Sequence, residues 1–200
     1  MNMLIDLLPT SVKVDNKEYK INSDFRTSML FEMMMLDGEL DKKEKIRNAL
    51  QLYYPIVPTN INEAVKKLIW FYSCGKDNKK HKGTGSTVTE QIYSYEYDDS
   101  YIYSAFLTQY NIDLQDIEFL HWWKFKAMFK SLKDDNMIVK IMGYRSLDLN
   151  TIKDKEQKAH YRKLKKIYEL PKSKAEIDKL NDIEEALLNG GDVEKILNNY

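Results

Sequence analysis

Residues 12–21, VKVDNKEYKI, alternate between apolar and polar side chains on both sides of a polar DNK tripeptide. An alternation with a period of two, interrupted by polar residues, is typical of a β-hairpin. We expect Val14 to pair with Tyr19 and Val12 with Ile21, so that four apolar side chains lie on one face. Because a two-stranded ribbon is not stable alone in water, this face should lie on helices.

The following segments have the apolar content and the terminal residues of helices. The first begins with a cap at Ser23 or Asp24 and ends at about Leu36, before Asp37-Gly38, and it is apolar almost all round. Two more helices are predicted, from about Asp41 to Tyr54 and from Asn60 to Cys74. Pro55 ends the first of these, and Gly75 follows the second. Residues 75–90 have no apolar periodicity, which predicts an exposed loop.

Helical patterns continue in the second half of the chain. They predict helices from Asp98 or Asp99 to Asn111, from Asp116 to about Asp134, over MIVKIMGYRSL, and from Lys155 to Leu170. A capping box at Ser173 and Glu176 predicts a further, acidic helix. The expected fold is therefore mainly α, a helical bundle with a short N-terminal β-hairpin. We expect one domain over 1–170 and an acidic helical extension over 171–200.

The predicted helix after Asp116 contains two adjacent tryptophans, in LHWWKFKAMFKSL. Neighbouring residues on a helix point about 100° apart, so Trp122 and Trp123 lie on different faces. Trp122 shares one face with Phe125, and Trp123 shares another with Leu120. Either the helix is central and packed on both sides, or the Trp123 face contacts a partner.

Methionines are concentrated in the first predicted helix, at Met29, Met33, Met34 and Met35. Unbranched thioether side chains fill irregular gaps in a core, and they also adapt to several partners at a binding surface. Both interpretations remain open from the sequence. On the second one, Met29, Met33 and Met34, together with Trp123, are the candidate partner-binding residues.

Composition and charge limit the class of protein. The 31 basic residues balance 31 acidic ones, so the chain lacks the long-range positive field of a general nucleic-acid or membrane binder. One cysteine, Cys74, excludes an intrachain disulfide and a multi-cysteine metal site and favours a reduced compartment such as the cytoplasm. No stretch approaches 18 uninterrupted apolar residues, so we expect no membrane contact.

No combination of residues predicts an enzyme. GTGST at 83–87 lacks the Gly-Lys-Ser/Thr ending of a phosphate-binding loop, and the three histidines lie on separate segments without metal-ligand spacing. Glu96, Asp98 and Asp99 precede a helix, where carboxylates act as caps. We therefore expect no catalytic residues, no cofactor and no metal.

Four motifs occur in a characteristic order: DDSYIYSAFLTQYNIDL, LHWWKFKAMFKSL, IMGYRSLDL and the charged KDKEQKAHYRKLKKIYELP. In the order and spacing of its motif residues the chain resembles the bacteriophage gene-product-fifteen family of small tail-region proteins. These residues are Asp99, Phe106, Tyr110, Asp113-Leu114, Leu120-His121-Trp122, Phe125 and Tyr144-Arg145. The resemblance is specific over about 98–170, weaker over 4–72, and absent in 75–90 and after Pro171.

The resemblance implies a non-enzymatic tail assembly chaperone in the cytoplasm of the infected bacterium. Such a protein would hold the tape-measure protein, the tail-tube protein or an upstream chaperone, and it could form a homo-oligomer. Two alternatives remain. A structural tail component would stay in the virion, and a module that binds single-stranded nucleic acid would use the tyrosines, tryptophans and the basic 155–166 segment.

Within the resembling region, Asp99, Trp122, Phe125, Tyr144 and Arg145 are expected to be structural. Arg145 lies among acid-rich turns, so a hydrogen-bonded ion pair with Asp99 or Asp113 is expected rather than a catalytic role.

Overall fold

A computed structural model describes residues 2–76 and 91–171. Apart from their first residues, the predicted loop over 75–90 and the predicted acidic extension over 171–200 lie outside the described residues. Within the described part, the chain forms one antiparallel hairpin and a set of short helices, so the mainly α fold with an N-terminal hairpin is confirmed.

The hairpin consists of β1 (Ser11–Val14) and β2 (Lys17–Lys20). Val12 pairs with Tyr19 and Val14 with Lys17, so the predicted pairing is wrong by two residues. The turn explains the difference. Asp15 and Asn16 both have positive φ, at 48° and 62°, and form a two-residue hairpin turn whose backbone twist matches the twist of the two strands. A shift of two residues keeps each side chain on the same face, so Val12 and Val14 are still buried.

The helices follow in chain order. They are α1 (Phe25–Leu36), α2 (Lys42–Tyr53), α3 (Ile61–Tyr72), α4 (Asp99–Tyr110), α5 (Trp122–Lys130), α6 (Met137–Ser146) and α7 (Lys155–Ile167), with a 3₁₀ turn at Leu149–Thr151. Pairwise packing joins α1 to α2 and α5, α3 to α2 and β1, and α6 to α4 and α7.

Local capping residues determine where the first three helices begin. The Asp24 carboxylate accepts a hydrogen bond from the Arg26 N–H, and Asp41 forms a capping box with Glu44. Asn60 caps α3 by accepting from the Glu63 N–H at 3.1 Å. Each bond satisfies an N–H that has no partner inside its own helix, so these predicted starts are confirmed.

The tryptophan helix is shorter than predicted, beginning at Trp122 instead of Asp116. The Phe25 N–H donates to the Leu120 carbonyl at 2.9 Å, and the Trp122 N–H donates to the Ser23 carbonyl at 2.8 Å. These two bonds hold residues 120–121 extended beside the start of α1, so the helix begins only at Trp122. His121 caps α5 instead, because its Nδ1 accepts from the Trp123 N–H.

Aromatic side chains form the centre of the core, and α5 supplies four of them, Trp122, Trp123, Phe125 and Phe129. The Phe125 ring lies 5.1 Å from Phe25, 4.8 Å from Phe106 and 5.8 Å from Trp122, in stacked geometry. Such offset contacts add to the free energy gained from burying each ring. The placement of Phe125 as a core residue agrees with its predicted structural role.

Candidate partner-binding surfaces and a buried ion pair

Both tryptophans of α5 are buried, with 0% of Trp122 and 2% of Trp123 exposed. The Trp122 indole N–H donates to the Tyr72 carbonyl at 2.9 Å, and that of Trp123 donates to the Phe71 carbonyl at 2.7 Å. The two bonds satisfy carbonyls at the end of α3. Trp123 is therefore a core residue, and its prediction as a partner-binding residue is wrong because α3 already covers its face.

The residue after α3 shows how tightly Trp123 is enclosed. Gly75 has φ of +69°, a left-handed conformation that favours glycine. A Cβ atom at this position would lie 2.8 Å from a carbon of the Trp123 ring. Glycine is thus required at this position for both its backbone angle and its small size.

The predicted methionines lie at the boundary between the core and the exposed side of α1. Met29, Met33 and Met34 are half-buried and pack against the edge of the core, while Leu30 is 54% exposed. Leu30 precedes Met33 and Met34 by three and four residues, so the three side chains are neighbours on the helix surface. We call Met29, Leu30, Met33 and Met34 the α1 apolar patch. Leu30 is not among the predicted partner-binding residues, although its helical spacing from the methionines indicates a neighbouring position.

A second apolar surface lies between α2 and the start of α3. It is a groove of about 500 Å³ lined by Ile46, Leu50, Val57 and Ile61, with Lys43 and Arg47 beside them. Lys43, Ile46, Arg47 and Leu50 follow one another at the spacing of one helix face. No sequence pattern predicts this α2–α3 groove, because its residues come from two helices and the connection between them.

Asp98 and Arg145 form a buried ion pair. Arg145 Nη1 and Nη2 donate to the two Asp98 carboxylate oxygens at 2.6 and 2.9 Å. The remaining guanidinium donors reach the carbonyls of Tyr168 at 2.6 Å and Ile92 at 3.1 Å. Asp98 also accepts from the Ser94 N–H at 2.8 Å. Both charges are therefore well hydrogen-bonded, as burial requires.

The predicted ion pair of Arg145 is present, but its predicted partners are wrong. Asp99 is exposed at the first position of α4, and Asp113 instead accepts from the Tyr103 hydroxyl at 3.0 Å. Asp98 was predicted to cap α4, yet its side chain makes no capping hydrogen bond. The physical reason is that Arg145 and the Ser94 N–H occupy its carboxylate oxygens.

Tyr144 is half-buried and contacts α7 and the residue that follows it. Its ring stacks on Tyr168 at 5.8 Å and lies 6.5 Å from Tyr161. Arg145 binds the Tyr168 carbonyl, so the adjacent motif residues Tyr144 and Arg145 fix the end of α7 together. Both act through packing and hydrogen bonding, in agreement with a structural role.

A polar cluster lies beside the tryptophans. The Tyr72 hydroxyl donates to the Glu32 carboxylate, and burial, together with this carboxylate, raises the pKa of Tyr72 far above its ordinary value. The Lys126 ammonium lies 4.9 Å from the Trp122 ring, and burial lowers the pKa of Lys126 while Glu32 opposes the shift. The Tyr72 hydroxyl thereby holds the Glu32 carboxylate in place. Among the described residues, no cluster of histidine, cysteine and carboxylate side chains suits a metal ion.

His121 makes stability depend on pH. Its Nδ1 accepts from the Trp123 N–H, so Nε2 carries the proton and donates to the Pro9 carbonyl at 3.0 Å. Burial lowers the pKa of His121, and Lys124 adds to this effect, while the Pro9 bond opposes it. Protonation of Nδ1 would remove the cap of α5.

We therefore expect the free energy of unfolding to be highest above about pH 6.5, the unfolded-state pKa of histidine, and to fall below it. The unfolded chain takes up the proton more readily, so acid favours unfolding. Urea titrations from pH 8 to pH 5 measure this dependence. His121→Asn, which keeps a capping acceptor, should show a smaller decrease. An identical decrease in both proteins would contradict the assignment.

Comparison with known proteins identifies a family whose match covers nearly all of the described residues. A family model described as bacteriophage Gp15 protein matches residues 4–170. The match covers the hairpin, all seven helices of the described part, the α1 apolar patch and the Asp98–Arg145 pair. Neither a search of curated proteins nor a search of solved structures found a match. In residues 2–76 and 91–171, the helices are too short or too polar to cross a membrane.

Proposed function

The chain belongs to the family of bacteriophage Gp15 proteins, and from this premise we propose that it acts in phage tail assembly as a non-enzymatic chaperone in the cytoplasm of the infected bacterium. Its partner is the tape-measure protein, and the tail-tube protein is a second candidate. The chain would bind an amphipathic helix of the tape-measure protein and keep it soluble until the tail polymerises.

The α1 apolar patch is the observation that carries this proposal. Leu30 is 54% exposed beside the half-buried Met33 and Met34, so adjacent apolar side chains reach solvent on a helix whose other side packs in the core. Amphipathic helices dock on apolar surfaces through anchors at the same three- and four-residue spacing. Methionine adapts to anchors of different shape, which suits a long helical partner with many non-identical segments.

The neutral charge of the chain supports an apolar mode of recognition. With 31 basic and 31 acidic residues, the chain has no strong overall field to attract an oppositely charged partner. Binding that depends on apolar burial should persist when salt is raised from 0.1 to about 0.5 M, because screening acts on charges. It should also show a negative heat-capacity change, which marks the burial of apolar surface.

Isothermal titration calorimetry with helical fragments of the tape-measure protein tests the proposal. Leu30→Lys should weaken binding about tenfold or more, because removing one apolar anchor costs roughly 1.5–3 kcal/mol. Leu30 is largely exposed, so the melting temperature should change little. Ile167→Lys is the matched control, since Ile167 is exposed to a similar extent on α7. Equal binding by both variants and wild type would exclude the α1 apolar patch.

The composition of finished phage particles distinguishes a chaperone from a structural tail component. A chaperone leaves before the tail is complete, so quantitative mass spectrometry of purified particles should find less than one copy per particle. Stoichiometric retention, with no binding to any tape-measure fragment, would establish the structural role instead.

A further inference from the structure

The segment Asn2–Leu7 presents three apolar side chains to solvent. Leu4, Ile5 and Leu7 are 95%, 80% and 93% exposed, which is more than the other exposed leucines and isoleucines in the described part of the chain. Adjacent exposed apolar residues of this size mark contact sites more often than ordinary surface. The segment ends at Leu8 and Pro9, which are half-buried, so it projects from a fixed point of the fold.

Hydrogen bonds give the segment a defined shape. The Ile5 and Asp6 N–H groups donate to the Asn2 carbonyl at 3.1 and 2.8 Å, and the Leu4 N–H donates to the Asn2 side chain at 2.9 Å. The Asn2 N–H donates to the Asp6 carboxylate at 2.7 Å. This single turn orders the backbone before any partner binds, which lowers the entropy lost on binding.

The α2–α3 groove complements this segment in both polarity and charge. Ile46, Val57 and Ile61 are exposed around a floor formed by the buried Leu50, which suits aliphatic side chains such as those of Leu4 and Ile5. The two charged residues that line the groove, Lys43 and Arg47, are both basic. The charged residue of the segment, Asp6, is acidic.

We propose that the Asn2–Leu7 segment of one copy of this chain binds the α2–α3 groove of a second copy, so that two chains exchange segments reciprocally. Leu4, Ile5 and Leu7 enter the apolar groove, and Asp6 lies beside Lys43 and Arg47. A segment and a matching groove on the same chain are self-complementary, and exchange about a two-fold axis fills both grooves at once. The exchange removes six exposed aliphatic side chains from water in each dimer.

Analytical ultracentrifugation over about 1–100 μM tests the assembly. The wild-type chain should be a dimer at the upper end of this range. Leu4→Asp/Leu7→Asp and, separately, Ile46→Glu should each weaken dimerisation at least tenfold and give monomers. Circular dichroism should show an unchanged fold for both, since the three replaced side chains are exposed. Phe119→Asp, which changes an exposed aromatic residue elsewhere, should leave the dimer intact.

Mixing the two monomeric variants separates segment exchange from other modes of dimerisation. Leu4→Asp/Leu7→Asp keeps an intact groove, and Ile46→Glu keeps an intact segment. Their equimolar mixture should recover heterodimers, because one segment and one groove remain compatible across the pair. Each variant alone should remain monomeric.

Charge reversal provides an independent check on the orientation. Asp6→Lys should weaken the dimer by placing like charges together, and Lys43→Glu/Arg47→Glu should do the same. The combination should restore dimerisation, because the opposite charges are exchanged between segment and groove. A wild-type chain that stays monomeric at 100 μM would overturn the proposal, as would variants that remain dimeric or a mixture that stays monomeric. A groove that binds tape-measure fragments in a monomeric chain would assign it to that partner instead.

Discussion

Replacing Asp98 by alanine should lower the free energy of unfolding by about 3–5 kcal/mol, because it leaves the buried Arg145 guanidinium without its anion. Asp98 is 2% exposed and binds Arg145 through both carboxylate oxygens. The replacement also removes the hydrogen bond that the Ser94 N–H donates to the Asp98 carboxylate. Chemical denaturation followed by circular dichroism measures the change.

The neighbouring residue Asp99 provides a matched control. It has the same side chain and belongs to the predicted motif, but it is exposed and makes no ion pair among the described contacts. Asp99→Ala should therefore change the free energy of unfolding by less than about 0.5 kcal/mol. A double-mutant cycle with Arg145→Ala should reveal strong coupling to Asp98 and none to Asp99. Equal effects of Asp98→Ala and Asp99→Ala would contradict the ion pair as the source of stability.

Trp122→Ala and Trp123→Ala should each destabilise the fold by about 3–5 kcal/mol, the cost of removing a buried aromatic ring and leaving a cavity. Both indole groups also donate hydrogen bonds to carbonyls at the end of α3. Removing either ring deletes one of these hydrogen bonds, which adds to the loss. Thermal and urea unfolding of the two variants should give similar decreases.

Phe119→Ala is the control for the tryptophan variants, because Phe119 precedes the same helix but is 53% exposed. Its effect on the free energy of unfolding should stay below about 1 kcal/mol. A comparably small effect of Trp123→Ala would indicate that its face is accessible, as the partner interpretation of the sequence required. Large and similar effects of both tryptophan replacements would establish that α5 is packed on two sides.

The starts of the first three helices were predictable because their signals are local. Asp24, Asp41 and Asn60 each cap a helix by accepting from an N–H two or three residues along the chain, and such a bond depends on few other parts of the fold. The mainly α class and the aromatic core around Phe125 were predictable for a similar reason. Apolar residues at helical spacing form a face that packs toward the core, whichever helix or strand covers it.

The tertiary structure decided what these local signals leave open. Asp98 and Asp99 are equivalent as sequence, and only the position of Arg145, 47 residues away, selects Asp98 as its partner. Trp123 is buried because the end of α3 covers it, which no periodicity in α5 could indicate. The α1 apolar patch exists because α5 and α2 cover the other sides of that helix. The preference of a side chain for burial or for a capping position is readable from the sequence, since it arises from each residue and its near neighbours. Which of these preferences are satisfied inside the chain, and which side chains stay exposed, follows from the folded arrangement, because it depends on contacts between segments far apart in sequence.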